Sequence, residues 1–151
     1  MTPNTLLKQT TMVVKSHHQK FIDVTGMISD YTQRALISVG LCHIFIKHTS
    51  ASVIITENAD PNVHRDLQTF MERIAPEDDY LYLHDSEGRD DMPAHIRTVL
   101  TQSSLFVPVS GGRLNLGRWQ GIYLWEHRAV ATERQLVVTV SGLDTISGVE
   151  V

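Results

Sequence analysis

The sequence contains a single cysteine, Cys42, among its 151 residues. One thiol cannot close an internal disulfide, and its isolation excludes zinc sites built on several cysteines. Basic residues are also scarce, because 13 Lys and Arg stand against 17 Asp and Glu and give a formal net charge of -4. A chain of this charge has no basic footprint for nucleic acid or for an acidic membrane surface. These shortages exclude a disulfide scaffold and disfavour nucleic-acid binding.

Long hydrophobic runs are missing as well. No apolar stretch approaches the roughly 20 residues that span a bilayer, and residues 1–10 lack the basic and apolar regions of a signal peptide. We therefore expect a cytoplasmic protein with no membrane partner and no nucleic-acid partner. The hydrophobic fraction of 42% is typical of a globular chain, and no linker or repeat divides the sequence. A single domain over residues 1–151 is predicted.

Short runs of β-branched and aromatic residues alternate with stretches of helical periodicity. Strands are predicted at residues 6–14, 18–24, 41–47, 51–56, 105–109, 113–116, 119–127 and 135–140, the first two as a hairpin. Helices are predicted at 27–39, 61–74 and 92–100, the second capped by Asp60 and begun by Pro61. Interior helices flanked by unevenly spaced strands are typical of an α+β domain. The predicted fold is a single compact α+β domain with a mixed or antiparallel sheet and two to three helices.

Histidine is unusually abundant, with eight in the chain. Strand alternation places His48 at the end of a buried-looking row, and helical spacing places His95 beside an apolar stripe of Met92, Ile96 and Val99. Together with His84 from the loop between them, these side chains could form a three-histidine metal site with a fourth position open. Their separations match no metal motif, so the alternative for each is a hydrogen-bonded, semi-buried histidine. Structural or surface roles are assigned to the other five: His17, His18, His43, His64 and His127.

Carboxylates supply the candidate acids and bases. Glu57 ends a strand beside the turn that opens the second helix, where it serves as a general base or as a cap. Asp66 borders the stripe of that helix and either orients a metal-bound histidine or is an ordinary boundary carboxylate. Glu126 and Gln120 bracket an apolar strand middle, which marks a pocket wall or the rims of a sheet. The other acidic candidates are Asp60, Asp85 and Glu87.

A further group of residues offers hydroxyls and approachable backbone amides for an anion. It comprises Ser50, Ser52, Gly111, Gly112 and Gly117, with Arg113 and Arg118 nearby. Separately, Trp119, Tyr123 and Trp125 share a strand face that is interpreted as a core stripe or an interface. A chain of this length has difficulty covering such a face alone, which favours an oligomer.

Several longer motifs resemble those of the YjbQ family. They are HTSAS from His48, ENADP from Glu57, HD at His84, DMPAH from Asp91 and WQGIY from Trp119. The resemblance covers residues 7–141 and implies a compact α+β domain that assembles as a homotrimer, with a histidine-bound metal near the subunit boundaries. The matching histidines are His48, His84 and His95. The acid and amide positions of the family fall on Glu57, Asn58, Asp66, Gln120 and Glu126.

The resemblance also implies a thiamine-phosphate synthase-like transferase activity, which joins a pyrimidine diphosphate to a thiazole phosphate. The leading hypothesis is a metal-binding enzyme that acts on a small phosphorylated metabolite or inorganic anion, with Glu57 as its acid or base. Three imidazoles suit zinc better than magnesium, so the expected cofactor is a divalent metal, zinc first. One alternative is a metal-dependent hydrolase whose synthase activity is a side reaction. The other is a non-catalytic homo-oligomer that binds a metal or metabolite.

Overall fold

The computed structural model describes residues 4–18, 20–77, 80, 82–130 and 132–144. Within these residues the strands are β1 (Thr5–Lys15), β2 (Phe21–Asp23), β3 (Val39–Ile46), β4 (Ala51–Glu57), β5 (Ser104–Ser110), β6 (Arg113–Leu114), β7 (Gln120–Glu126) and β8 (Glu133–Leu143). The helices are α1 (Thr25–Arg34), α2 (Pro61–Ile74) and α3 (Asp91–Leu100). The predicted α+β class is confirmed. None of these described helices is long and apolar enough to cross a membrane.

The strands form two sheets. The larger has the order β1-β8-β3-β5-β6 and the smaller the order β2-β7-β4, and every pair is antiparallel. Alternation along β3 turns Cys42, Ile44 and Ile46 inward, where they pack with residues of β7 such as Ile122 and Leu124. The main core therefore lies between the two sheets. The single cysteine, Cys42, is fully buried in this core with a free thiol.

Helix α2 covers the outer face of the smaller sheet. Its start follows the sequence signals, because Asp60 accepts a hydrogen bond from the Asn62 N–H at 2.9 Å and Pro61 occupies the first turn. Met71 of this helix packs on Tyr123 and Trp125, which are 6% and 3% exposed. These two aromatics thus belong to the core of their own chain, whereas Trp119 is 54% exposed.

Two local predictions were wrong. The first helix ends at Arg34 instead of residue 39, because Leu36 has a φ of 58° that breaks the helix, and Val39 already begins β3. The predicted hairpin does not form, since β1 pairs with β8 and β2 pairs with β7 in the other sheet. Strand propensity is a local property, whereas strand partners are chosen by the packing of the whole chain.

Two glycines, Gly40 of β3 and Gly142 of β8, lie opposite each other where these strands pair. A Cβ on Gly40 would lie 2.0 Å from the Ser141 carbonyl oxygen. We expect Gly40→Ala to destabilise the fold by about 1–3 kcal/mol, because backbone atoms must move to admit the methyl group. Gly26→Ala is the matched control: apart from its chain neighbours and the local backbone of α1, no atom lies within 4 Å of its Cβ position. Chemical denaturation should show this control equal to wild type or slightly more stable.

Candidate metal centre

Helix α3 presents a polar face to the interior at its first turn. Its buried residues are Asp91, Pro93, Ala94 and Arg97, whereas Val99 is 84% exposed. The predicted stripe of Met92, Ile96 and Val99 is therefore not the packing face. His95 follows Asp91 by one helical turn, so the two side chains lie on the same side of the helix.

Four potential ligands meet at this turn: His84, Glu87, Asp91 and His95. Their donor atoms all lie within 4.8 Å of one another. Asp91 Oδ2 is 2.7 Å from His84 Nε2 and 3.1 Å from His95 Nε2, and His84 Nε2 is 3.1 Å from Glu87 Oε2. Ligands of a tetrahedral zinc ion with bonds near 2.0–2.1 Å are about 3.3 Å apart. The three contacts above, at 2.7–3.1 Å, are shorter than this value, and the other pairs of donor atoms lie within 4.8 Å.

The tautomer of His95 supports a cation at this place. His95 Nδ1 lies 2.9 Å from the Thr49 carbonyl oxygen, to which it can only donate its hydrogen. In a neutral ring, Nε2 then carries a lone pair that faces the Asp91 carboxylate. Two acceptors in contact need a second proton on His95 or a positive ion between them. A backbone carbonyl that fixes the far nitrogen is a usual companion of a metal-ligating histidine.

Asp91 is the central group of the cluster. It is 2% exposed, and its other oxygen accepts a hydrogen bond from Arg128 Nη1 at 2.6 Å. Burial alone raises the pKa of Asp91, but the hydrogen bond from His84 and the charge of Arg128 outweigh it and hold the pKa below its ordinary value. The same hydrogen bond raises the pKa of His84. The carboxylate is therefore ionised and fixed in place.

Arg128 also connects the cluster to the loop before α3. Its Nε donates to Asp90 Oδ2 at 3.0 Å, and its Nη2 donates to the Glu87 carbonyl oxygen at 2.9 Å. Three anchor points on one guanidinium fix the loop relative to the end of β7. Sequence reasoning identified neither Arg128 nor Asp91 as a site residue. The available signal for Asp91 was its spacing of four residues from His95 at a helix start.

His48 does not belong to this cluster. Its Nε2 accepts a hydrogen bond from the Gln135 N–H at 2.8 Å, and its Nδ1 is 3.4 Å from Arg134 Nη1. Burial and the charge of Arg134 lower its pKa, so the ring is neutral at pH 7. Of the three predicted metal histidines, His84 and His95 lie together in the cluster and His48 does not. The other potential ligands in the cluster are the carboxylates of Glu87 and Asp91.

The predicted acid and base Glu57 caps a turn. Its Oε2 accepts hydrogen bonds from the Ala59 and Asp60 N–H groups at 3.1 and 2.7 Å. Glu57 ends β4, whereas Thr49 precedes the start of that strand, so roughly 20 Å separate the carboxylate from the cluster at about 3.3 Å per residue. Of the alternatives weighed for Glu57, the structure shows the cap.

The remaining predicted pocket residues are spread over the molecule. Asn58 donates to the Arg118 and Gln120 carbonyl oxygens, and Gln120 Oε1 accepts from the Gly117 N–H at 2.8 Å. These bonds order one turn near Glu57. Asp66 is exposed on α2, and Gly111 lies in the turn between β5 and β6 with a φ of 57°. None of these side chains belongs to the histidine cluster.

Glu126 is 1% exposed and forms an ion pair with Arg134, whose Nε is 2.7 Å from Glu126 Oε2. The other oxygen of Glu126 accepts the Arg128 N–H at 3.0 Å, and Arg134 also donates to the Ser50 carbonyl oxygen. A carboxylate committed to these donors is a structural group that holds the backbone of Arg128 in place.

Ser52 lies in a buried chain of polar groups. Thr101 donates its hydroxyl hydrogen to the Arg97 carbonyl oxygen at 2.7 Å, so its oxygen accepts the hydrogen of the Ser52 hydroxyl. Ser52 in turn accepts a hydrogen bond from His127 Nε2 at 2.8 Å. Burial, with nearby positive charges, lowers the pKa of His127 to about 3, so its ring stays neutral at pH 7. Ser52 is fully buried and does not face a solvent-borne anion.

The chain is similar to one family of proteins over nearly its full length. The family model described as UPF0047 protein YjbQ-like matches residues 9–143. A UPF0047 protein of Synechocystis sp. is 46% identical over 134 residues, which cover 89% of this chain and 91% of that protein. The UPF0047 protein YjbQ of Escherichia coli O157:H7 is 38% identical over 135 residues, with coverage of 89% and 97%.

Solved structures show the same fold. A YbjQ-like protein of unknown function from Sulfolobus solfataricus P2 superposes with a TM-score of 0.84 at 22% identity and covers 92% of this chain and 99% of its own. A conserved protein of the yjbq/upf0047 family from Clostridium acetobutylicum has a TM-score of 0.73 at 31% identity, with coverage of 88% and 98%. The chain therefore belongs to the YjbQ/UPF0047 family.

Proposed function

We propose that this protein is a metal-dependent enzyme that acts on a small phosphorylated metabolite. The observation that carries the proposal is the convergence of His84, Glu87, Asp91 and His95 within 4.8 Å. In this proposal His84, Asp91 and His95 hold the ion. Glu87, with a side chain that is 63% exposed, is the weakest ligand and the one that a substrate displaces.

The chemistry of the ligand atoms restricts which metal ions fit the site. Two imidazoles with one or two carboxylates suit zinc or iron(II), whereas magnesium prefers oxygen ligands and keeps its waters. Zinc is therefore the first candidate. When bound, such an ion supplies Lewis-acid chemistry that polarises a phosphoryl or carbonyl oxygen. The chain itself contributes the orientation of the ligands, through the Thr49 carbonyl on His95 and Arg128 on Asp91.

The donor set also ranks the finer activities. A zinc-type centre is suited to hydrolysis, so a metal-dependent hydrolase is favoured over a thiamine-phosphate synthase-like transferase that joins a pyrimidine diphosphate to a thiazole phosphate. In that case the transferase activity is a side reaction. A non-catalytic metal-binding protein is the second candidate, and it is favoured if Glu87 closes the coordination sphere.

The homotrimer stays a prediction. The surface that favours it is not the aromatic strand face that the sequence suggested. Tyr123 and Trp125 are buried under α2 and need no partner. Exposed apolar side chains lie instead on the outer face of the larger sheet, where Leu41, Phe45 and Phe106 are 45%, 42% and 64% exposed. This face is the surface on which copies of the chain are expected to associate.

The metal centre is tested by replacing its histidines. We expect His84→Ala and His95→Ala each to lose most of the zinc bound by wild type, because three firm ligands leave no spare. His17→Ala is the control, since His17 is exposed in the turn after β1 and does not belong to the cluster. Elemental analysis of protein purified without an affinity tag measures the effect. Full zinc occupancy in both variants would return these histidines to a packing role.

A further inference from the structure

A groove of about 580 Å³ opens between the edge strand β2 and helix α2, apart from the residues of the metal centre. Its lining residues are Lys20, Phe21, His64, Arg65, Gln68 and Thr69. This volume lies within the range of small-molecule sites in proteins, roughly 300–1,000 Å³. The groove therefore has room for a ligand of metabolite size.

One wall of the groove is built from stacked rings. The Phe21 ring lies 4.5 Å from the His64 ring at 11° and 4.6 Å from the Trp125 ring at 27°. Trp125 is fixed by a hydrogen bond from its Nε1 to Gln68 Oε1 at 3.0 Å. His64 and Trp125 thus cover the two faces of the Phe21 ring and leave its edge for the groove, where it can meet the face of an aromatic ligand in an edge-to-face contact.

Among the described residues that line the groove, the charged groups are both cations. Lys20 donates one hydrogen to the Arg128 carbonyl oxygen at 2.9 Å, which leaves two ammonium hydrogens for a ligand. Arg65 contacts the neutral Asn62 side chain at 3.3 Å. In a protein with a formal net charge of -4, this is a locally positive surface.

Further positive charge lies behind Lys20. Burial lowers the pKa of Lys20, and the positive charge of Arg97 lowers it further. Three carboxylates act in the opposite direction and raise this pKa: Glu126, Asp90 and Glu77. Glu126 is already bound by Arg134, and Asp90 by Arg128, whereas Glu77 is an exposed carboxylate after the end of α2 that offsets part of this charge.

Arg97 itself is 3% exposed and donates to the Ala75 carbonyl oxygen at the end of α2. Its Nε has no hydrogen-bond partner, and no ion pair joins Arg97 to a carboxylate within the described residues. Buried guanidinium groups are normally paired with an anion. The charge of Arg97 acts on Lys20 and adds to the attraction of the groove for an anion.

We propose that the groove between β2 and α2 binds a phosphate monoester that carries a flat ring, with the phosphate at Lys20 and Arg65 and the ring against Phe21. The two cations select the phosphate, and the edge of Phe21 selects an aromatic ring. This site is separate from the metal centre and does not depend on a bound ion.

Phenyl phosphate and inorganic phosphate are the probes, measured by isothermal titration calorimetry on the full chain, first with EDTA and then with zinc. We expect phenyl phosphate to bind more tightly than inorganic phosphate under both conditions. Lys20→Met and Arg65→Gln are each expected to weaken phenyl phosphate at least about tenfold, because each removes a charge-assisted hydrogen bond. Arg65 is exposed, so Arg65→Gln tests the site without a risk to folding.

Arg73→Gln is the matched control, since it makes the same charge change at an exposed position of α2 outside the groove. It should bind phenyl phosphate as wild type does. Phe21→Leu should reduce the preference for phenyl phosphate over inorganic phosphate. The proposal is overturned if wild type binds neither probe or binds both equally, or if Arg73→Gln weakens binding as much as Arg65→Gln. Zinc content of the same samples tests the metal centre separately.

Discussion

Replacement of Asp91 by Asn is expected to weaken zinc binding at least about 100-fold. Loss of a hydrogen-bond partner outside the ligand shell already costs 10–100-fold in metal affinity, and Asp91 is both a proposed ligand and the link to Arg128. The amide keeps the shape of the side chain but removes the negative charge that balances two histidines and a guanidinium. Competition with a chromophoric zinc chelator measures the affinity.

Asp85→Asn is the control for this change. Asp85 is an exposed neighbour of His84 whose carboxylate is not part of the cluster. Asp85→Asn removes the same charge from the loop that precedes α3, so the zinc affinity of this variant should stay within a few-fold of wild type. If the two variants bound zinc equally well, the carboxylate of Asp91 would be a partner of Arg128 and nothing more.

Replacement of Glu126 by Gln is expected to lower the melting temperature by about 6–20 °C. Removal of one partner from a buried ion pair costs about 3–5 kcal/mol, and each kcal/mol shifts a domain of this size by about 2–4 °C. Arg134 is 4% exposed and would keep an uncompensated charge. Thermal unfolding followed by circular dichroism measures the shift.

Glu133→Gln is the matched control, because Glu133 pairs with Lys15 at 3.2 Å while both side chains are mostly exposed. An exposed pair contributes less than about 1 kcal/mol, so this variant should melt close to wild type. The sequence also allowed Glu126 to be a pocket carboxylate. A Glu126→Gln variant that melts like wild type but loses turnover would support that role and contradict the structural one.

The elements with local signals were predictable from the sequence. Asp60 and Pro61 mark the start of α2 within one turn, and strand alternation identifies the buried face of β3 correctly. Strand pairing was not predictable, because β1 and its partner β8 lie at opposite ends of the chain. No local pattern records which distant strand completes a sheet.

The residues of the candidate site were likewise predictable only where a local feature of the sequence pointed to them. His84 and His95 were selected for their residue type, and they do meet. His48 was included because alternation fixes the face of a strand, but it does not fix which side chains approach that face. Asp91 was omitted because the helix was predicted to begin one residue later, which hid its one-turn spacing from His95. Arg128 comes from a distant loop and left no local signal.

The ligands of the proposed centre all come from residues 84–95, whereas Arg128 arrives from far along the chain. A short segment loses little entropy when its ends are brought together, so the unfolded chain retains part of its capacity to chelate. Ligand binding stabilises a native state only by its preference over the denatured ensemble. Zinc is therefore expected to raise the unfolding free energy by less than its native-state dissociation constant implies, and the difference measures how far Arg128 preorganises the site.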